Sequence, residues 1–586
     1  MTERANERLL RDDASDARLD LFPGSTTGSQ TVAVAFGGEV DATGYGNPVS
    51  YTPENRPSMA FDGDPRTAWK VGDFSDVTGE LIRLRLPTPA VLDHIVLVQP
   101  LTGPRDRFIT QATVSIGRER IPITLTDASR TEQGQTIALP NHPKASTISI
   151  AVRETNTGLR ADYGGVPGVG FAEVRVYRHG EQDPVQLTES VQVPTQMLSA
   201  LGTRSARAQL SFVFDRVRTQ GYPPRSDEER SVNRQFVVPT TRSFSLGGVV
   251  RLNGNSLALD ELVTRPDGDA VTVQASSALG GAARARPFAA IDGSQSTMWQ
   301  PAFGDDTQPW ISLSRDTSKE VGSFHVSFIH DDQHSSVTSV TASWDGGTAT
   351  APVIHRPNSD AHVDSADVQL PAGVAISAVR FTVTGIQARK TLEYFSNSMV
   401  TLPIGVTEIT SSDNWMQSQP VQALASECRT DLVSVDGEPV AVAVHADTNA
   451  LLRGERGSVT SCAPIILGSG THTLTTALGI DLGLNIDHIV MSSDATGAPA
   501  RLDRYGVIRL KSNTPADHVD AASLGDVNAS VRLSPSTSDR WVVLRQSFNA
   551  GWSASGIVRG PSTLVNGYAN GWLVPAGEHG QVVLQW

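Results

Sequence analysis

Ala60-Phe-Asp-Gly-Asp-Pro-Arg-Thr-Ala-Trp69 returns later in the chain as Ala290-Ile-Asp-Gly-Ser-Gln-Ser-Thr-Met-Trp299. Both stretches read Ala-apolar-Asp-Gly-x-x-x-Thr-x-Trp, and the residues downstream of each keep step. Ile95 lies in an apolar run 33 residues after Asp62, and Phe324 in a similar run 32 after Asp292. Val169-Gly-Phe-Ala-Glu-Val174 has its counterpart in Ile404-Gly-Val-Thr-Glu-Ile409. Asp62 to Glu173 is 111 residues and Asp292 to Glu408 is 116. Landmarks in register at one long period define a duplicated domain, not a chance peptide match.

Around each repeat the pattern is short and alternating. Leu81-Ile-Arg-Leu-Arg-Leu86, His94-Ile-Val-Leu-Val98, Ala112-Thr-Val-Ser-Ile116 and Thr147-Ile-Ser-Ile-Ala-Val152 are separated by Gly, Pro and Asp turns. With no amphipathic helices between them, such runs predict an all-β antiparallel sandwich or jelly roll. The expected layout is a tail over 1–30, module 1 over 31–179, a linker with partial β character over 180–267, module 2 over 268–409 and a further β-sandwich region over 410–586. The strand-like runs of 180–267 are too few to close a sandwich alone, so pairing with later strands, around an inserted module 2, is one arrangement open to them.

Bulk composition narrows the partners. A chain of 586 residues with 51 Gly, 34 Pro and 19% charged residues is a folded, turn-rich protein of several domains. Its net charge of −14 argues against nucleic acid and anionic membrane surfaces. No apolar run reaches the length of a membrane-spanning helix, and the polar start at Met1 lacks a signal-peptide core. Cys428 and Cys462, 34 apart, fit one structural disulfide in an oxidising compartment, with two free thiols the alternative. A disulfide would place the chain outside the cytoplasm and make it part of something longer.

The repeated loop concentrates hard oxygen donors: carboxylates, a hydroxyl and turn carbonyls. That set suits Ca²⁺, which takes six to eight oxygens in flexible geometry, and Glu173 or Glu408 on the closing strand is placed to complete it. Asp-Gly pairs are also ordinary turn formers, so a plain turn leading Trp69 and Trp299 into the core is the competing reading. The second copy has Ser294 in place of Asp64, one carboxylate fewer. Among other clusters, His330-Asp-Asp-Gln-His334 with His325 reads as a solvated strand end, with a transition-metal site as the alternative. Trp572, Trp310 and Tyr568 are candidate sugar-stacking platforms, Trp572 because it lies in a Gly-rich, turn-rich strand. No zinc-protease, P-loop or nucleophile-elbow motif occurs.

Asp-Gly-Asp-Pro-x-Thr-x-Trp, followed by strands and a closing Gly-Phe-Ala-Glu-Val, resembles the discoidin or coagulation-factor type C domains, which overlap with galactose-binding-like carbohydrate-binding modules. The resemblance covers about 31–179 and 268–409. It implies tandem jelly rolls with a structural Ca²⁺, held by Asp62, Asp64, Thr67 and Glu173 in the first copy and by Asp292, Thr297 and Glu408 in the second. The whole layout, ending in Gln546-Ser-Phe-Asn-Ala-Gly-Trp552 and Leu564-Val-Asn-Gly-Tyr-Ala-Asn-Gly-Trp-Leu-Val-Pro575, resembles the extracytoplasmic part of the actinobacterial α-(1→3)-arabinofuranosyltransferases. In that family catalysis belongs to a preceding membrane domain, which this sequence lacks. The resemblance therefore implies a non-catalytic region binding arabinan, a cell-envelope polysaccharide or a lipid-linked glycan, extracytoplasmic and membrane-associated through an upstream glycosyltransferase domain. A protein-interaction scaffold of the cell envelope and a secreted glycosidase are the alternatives.

Overall fold

The computed structural model describes residues 27–46, 52–72, 76–100, 107–156, 168–217, 229–256, 258–263, 271–305, 308–355, 362–393, 398–416, 424, 427–506 and 520–586. The expected tail therefore lies almost wholly outside the described residues. The rest is all-β, with only short helices among the described residues.

The two repeats fold alike. In module 2 a five-stranded sheet runs in the order Thr272–Ala275, Trp310–Glu320, Ala375–Gln387, Ser336–Trp344, Gly347–Pro352, and faces a three-stranded sheet of Val363–Gln369, Ser323–Ile329 and Val406–Ser411. Module 1 repeats this order. Its long strand Leu81–Val98 serves both layers: residues up to Arg85 pair with Glu39–Ala42, residues from Leu92 pair with Gln135–Ala138 and Glu173–Arg178, and Lys144–Thr155 pairs on both sides of the break between Arg85 and Ala90. In module 2 the same crossing is made by two strands, parted at Gly322. Alternation drives the layering. Leu81, Arg83 and Arg85 face outward from Ile82, Leu84 and Leu86, which are buried, and each module closes over its own core.

Between the modules lies a third unit that is not contiguous in sequence. Its sheet orders Val32–Phe36, Thr188–Gln192, Asn233–Val238, Gly470–Thr476, Cys428–Val435, Glu438–His445, Gly457–Ser461, Arg242–Leu252, Leu484–Ser493 and Leu210–Asp215, with Ile465–Leu467 added to Arg242–Leu252. Module 1 leaves this sheet after Val32–Phe36 and returns beside it at Thr188–Gln192, antiparallel from Val32↔Gln192 to Phe36↔Thr188. Module 2 leaves after Arg242–Leu252 and the chain re-enters at Cys428–Val435. Both modules are thus insertions whose ends emerge at the sheet of one parent unit, the usual geometry for a tolerated domain insertion. Phe212, Phe214, Phe236 and Phe244 cluster at its centre, with Phe212 and Phe236 rings 4.8 Å apart. Cys428 and Cys462 are bonded across this unit, their Cα atoms 6.2 Å apart.

Two expected boundaries change. Val32–Phe36 belongs to the central sheet, so module 1 starts at Glu39–Ala42. The region expected over 410–586 divides: 428–493 completes the central sheet, and the strands from Asp520 onward form a separate small sandwich around Trp552, Trp572, Val574 and Val582. Strand periodicity looks the same on both sides of that division, because it reports burial and not which sheet a strand joins.

Candidate metal and glycan sites

Each Asp-Gly loop is preceded by a short 3-10 turn, Pro57–Ala60 or Pro287–Ala290, with proline at its start. Gly63 and Gly293 then adopt φ of +80° and +81°, the left-handed conformation that a side chain would strain. This bends the chain so that Asp62 accepts the backbone N–H of Asp64 at 3.0 Å, and Asp292 that of Ser294 at 2.9 Å. Trp69 and Trp299 are fully buried and donate their ring N–H to the carbonyls of Gly44 and Ser277, each at 2.9 Å. They anchor the loops in the core, as the turn reading expected.

The loop oxygens crowd around one hydroxyl. Thr67 Oγ1 lies 3.0 and 2.9 Å from the two Asp62 carboxylate oxygens, 2.8 Å from the Asp64 carbonyl and 3.2 Å from the Met59 carbonyl. In module 2, Thr297 Oγ1 lies 3.0 and 2.8 Å from the Asp292 oxygens and 2.9 Å from the Ser294 carbonyl. A hydroxyl has one proton to give, so most of these acceptors meet another acceptor. Glu173 and Glu408 close on this cluster from the last strand of each module. Glu408 accepts the N–H of Gly293 at 3.0 Å, while Glu173 Oε1 and Glu408 Oε1 are buried and accept no hydrogen bond. Burial first, then the charge of Asp62, pushes Glu173 up to about 8; burial and Asp292 push Glu408 up to about 7. Asp62 and Asp292 are also raised, chiefly by burial.

Buried carboxylate pairs with orphaned oxygens and shared hard donors are what a divalent cation would satisfy. Asp62, Thr67 and Glu173, and likewise Asp292, Thr297 and Glu408, fit Ca²⁺. The side chain of Asp64 stands apart from its pair. Arg66 grips it through two hydrogen bonds of 2.8 and 2.7 Å, and Arg230 of the central unit adds a third. Burial opposes the charge of Asp64, but these arginines win and hold its carboxyl well below the usual range. Arg66 continues to Asp481 of the central unit at 2.6 Å. Asp64 is therefore a docking residue. Ser294, which replaces it, lines a cleft of about 380 Å³ between module 2 and the central unit, with Arg284, Ser296, Asn449 and Arg453.

Sequence reasoning missed a docking signal: an Arg-Pro pair opens each motif, as Arg56-Pro57 and Arg286-Pro287. Arg56 pairs with Glu189 of the central sheet at 2.6 Å, and Arg286 with Asp260 on the short helix that leads into module 2.

The aromatic candidates separate. Trp572 is only 3% exposed and donates its ring N–H to the Gly560 carbonyl at 3.3 Å, so its expected exposure is corrected: the ring packs in the small core with Trp552, Val574 and Val582. Trp310 is half-buried with the Arg380 guanidinium 4.0 Å above its ring, which covers one face. Tyr568, 44% exposed, stands in the turn after Thr563–Val565. The His330–His334 run meets itself at His334 and Asp331, while His330 turns to Asp364 outside it. His325 hydrogen-bonds with Asp367 at 2.7 Å, and His334 with Asp331 at 2.7 Å and Gln300 at 2.9 Å.

These features define a class: an all-β assembly of two jelly-roll modules, each with an acidic loop at its base, inserted into a split central β domain. No family model matches the chain. Over 96% of its length it is 24% identical to an α-(1→3)-arabinofuranosyltransferase of Mycolicibacterium smegmatis, covering 39% of that protein. The corresponding Mycobacterium tuberculosis protein is 24% identical over 91% of the chain and 37% of its own length. A cryo-EM structure of the mycobacterial arabinofuranosyltransferase AftD shares the fold over 95% of this chain and 42% of that one, with a TM-score of 0.62 at 17% identity. The chain is thus similar, over nearly all of its length, to one part of the α-(1→3)-arabinofuranosyltransferases, and spans about two fifths of the length of the curated relatives it matches.

Proposed function

We propose that this chain is the glycan-holding, non-catalytic region of an arabinofuranosyltransferase-like membrane protein. It faces the cell envelope and presents arabinan or a lipid-linked glycan to a glycosyltransferase domain elsewhere in that protein. The observation that carries the reading is the cleft between module 2 and the central unit. At about 380 Å³ it has the size of a small-ligand site, and Ser294, Ser296, Asn449, Arg284 and Arg453 line it with hydroxyl, amide and guanidinium groups that suit sugar hydroxyls. Similarity over nearly the whole chain to the arabinofuranosyltransferases supports the pathway. Ca²⁺ in the acidic loop of module 2 would stiffen one wall of the cleft, since Asp292 and Thr297 also border it. Among the described residues, no helix is long and apolar enough to cross a membrane.

A glycosidase reading meets an obstacle in the repeat. The converging carboxylates occur twice with the same threonine hydroxyl, and in each pair the glutamate is buried, as suits a repeated structural cation site better than a single hydrolytic pair. The scaffold reading has one observation in its favour. Leu392 and Met399, opposite each other on the hairpin Lys390–Glu393 and Ser398–Thr401, are 56% and 58% exposed.

Isothermal titration of the full chain with arabinan oligosaccharides is the test. Binding that weakens about tenfold or more in Arg453→Ala supports the proposal. No binding at millimolar glycan, or binding indifferent to Arg453, would sink it and leave the Leu392–Met399 hairpin as the better lead.

A further inference from the structure

The sheet register of module 2 brings together three residues that the sequence keeps apart: His330, His355 and Asp364. Phe328 pairs with Asp364 and Ile329 with Val363, and His330 donates its backbone N–H to the His362 carbonyl at 2.7 Å. On the other side Ile354 bridges to Ser365, so His355 also stands against Asp364. Three strand ends therefore converge on one carboxylate. Asp364 is buried, while both imidazoles are partly open to solvent. His355 Nδ1 lies 2.8 Å from one Asp364 oxygen and His330 Nδ1 lies 2.9 Å from the other. The rings stand side by side with centroids 4.2 Å apart. His330 Nδ1 is sealed from solvent yet makes no aligned hydrogen bond, even to the carboxylate beside it.

We propose that His330, His355 and Asp364 form a site for a borderline divalent transition cation of the Zn²⁺ kind, separate from the calcium-type loops. Two neutral imidazole nitrogens and one carboxylate oxygen, all within 4.8 Å of one another, are the donor set such ions prefer over Ca²⁺. In the cation-free fold His355 Nδ1 hydrogen-bonds to Asp364, so ligation through that nitrogen would release its proton, while His330 Nδ1 beside the same carboxylate makes no aligned hydrogen bond. Three protein ligands leave the remaining coordination to water or to a ligand hydroxyl. The ion would tie together the ends of three strands at one end of module 2, beyond the reach of any local sequence motif.

A second group, Asp93, His142 and His179 in module 1, serves as the control. Its Asp93 carboxylate is less buried and is already claimed by His94 at 2.8 Å. The full chain, freed of metal with chelator, is titrated calorimetrically with ZnCl₂ in the presence of excess CaCl₂. Co²⁺ replaces Zn²⁺ in a parallel absorbance titration that reports imidazole ligation. Expected is Zn²⁺ binding that persists in calcium, weakens about 100-fold or more in His355→Ala and Asp364→Asn, and is unchanged in Asp93→Asn. His355 is half-exposed, so His355→Ala keeps the test alive if Asp364→Asn misfolds. Equal Zn²⁺ affinity in wild type and His355→Ala, loss confined to Asp93→Asn, or displacement by Ca²⁺ would overturn the assignment.

Discussion

Glu173→Gln is the substitution that most directly probes the acidic loops. Glu173 is 2% exposed, one of its oxygens is unpartnered, and Asp62 lies beside it. In the unfolded chain its carboxyl titrates near 4.5; in the fold, without a cation, burial and Asp62 push it up to about 8. Because the folded value is raised, the folded state holds the proton more tightly. Its contribution is fully favourable below about pH 4.5 and is lost as pH rises through 8. At about 1.4 kcal/mol for each tenfold change, ionising Glu173 in the folded, cation-free state costs on the order of 5 kcal/mol. Calcium inverts this, because it binds the ionised pair and stabilises by mass action. Differential scanning calorimetry in chelator should therefore show the module 1 transition falling between about pH 5 and pH 8, with calcium restoring it at the upper end. Glu173→Gln should flatten the chelator profile and abolish most of the calcium response. A wild-type transition that is flat across that window in chelator, or a calcium response that survives in Glu173→Gln, would refute the reasoning and return the loop to a plain turn.

Asp487 accepts from Arg216 at 2.7 Å, and its other oxygen lies 3.1 Å from Arg251; Asp487 and Arg216 are buried, so Asp487→Ala should cost about 3–5 kcal/mol in urea unfolding by leaving buried charge uncompensated. Replacing Cys428 and Cys462 by serine should lower the stability of the central unit by about 2–4 kcal/mol, read as a lower urea midpoint, while a thiol titration of the denatured wild type without reductant finds no free thiol. Trp572→Ala should destabilise the small C-terminal sandwich by about 3–5 kcal/mol and leave arabinan affinity unchanged, since its ring is core and not a sugar platform.

The repeat was legible because it is local. Asp-Gly turns, the threonine five residues after each Asp and the buried tryptophan are tied by short-range geometry, so spacing alone predicts which oxygens gather. Alternation in Leu81–Leu86 likewise declares a strand with one buried face. Asp64 shows where that logic stops. Its position in the motif matches a ligand, but its partners Arg66 and Arg230 come from its own turn and from 166 residues away. Trp572 is a similar case: a glycine beside it signals a turn-rich strand, but which face of Ala569–Val574 is covered is set by the opposing sheet.

The dense His330–His334 run and the His330–His355–Asp364 group make the contrast sharpest. Within the run His334 meets Asp331 but His330 turns away to Asp364, and residues 25 and 9 positions apart meet because antiparallel register places them on adjacent strands. By itself, then, the sequence determined the all-β class, the duplication and the content of each acidic loop, since periodicity and turn chemistry act over a few residues. Only the tertiary structure decided that both modules are insertions into one split sheet, that the Asp64 side chain is held by Arg66 and Arg230, and that an imidazole pair faces a buried carboxylate. Those depend on which strands pair across hundreds of residues, and strand pairing is settled by the burial of whole faces.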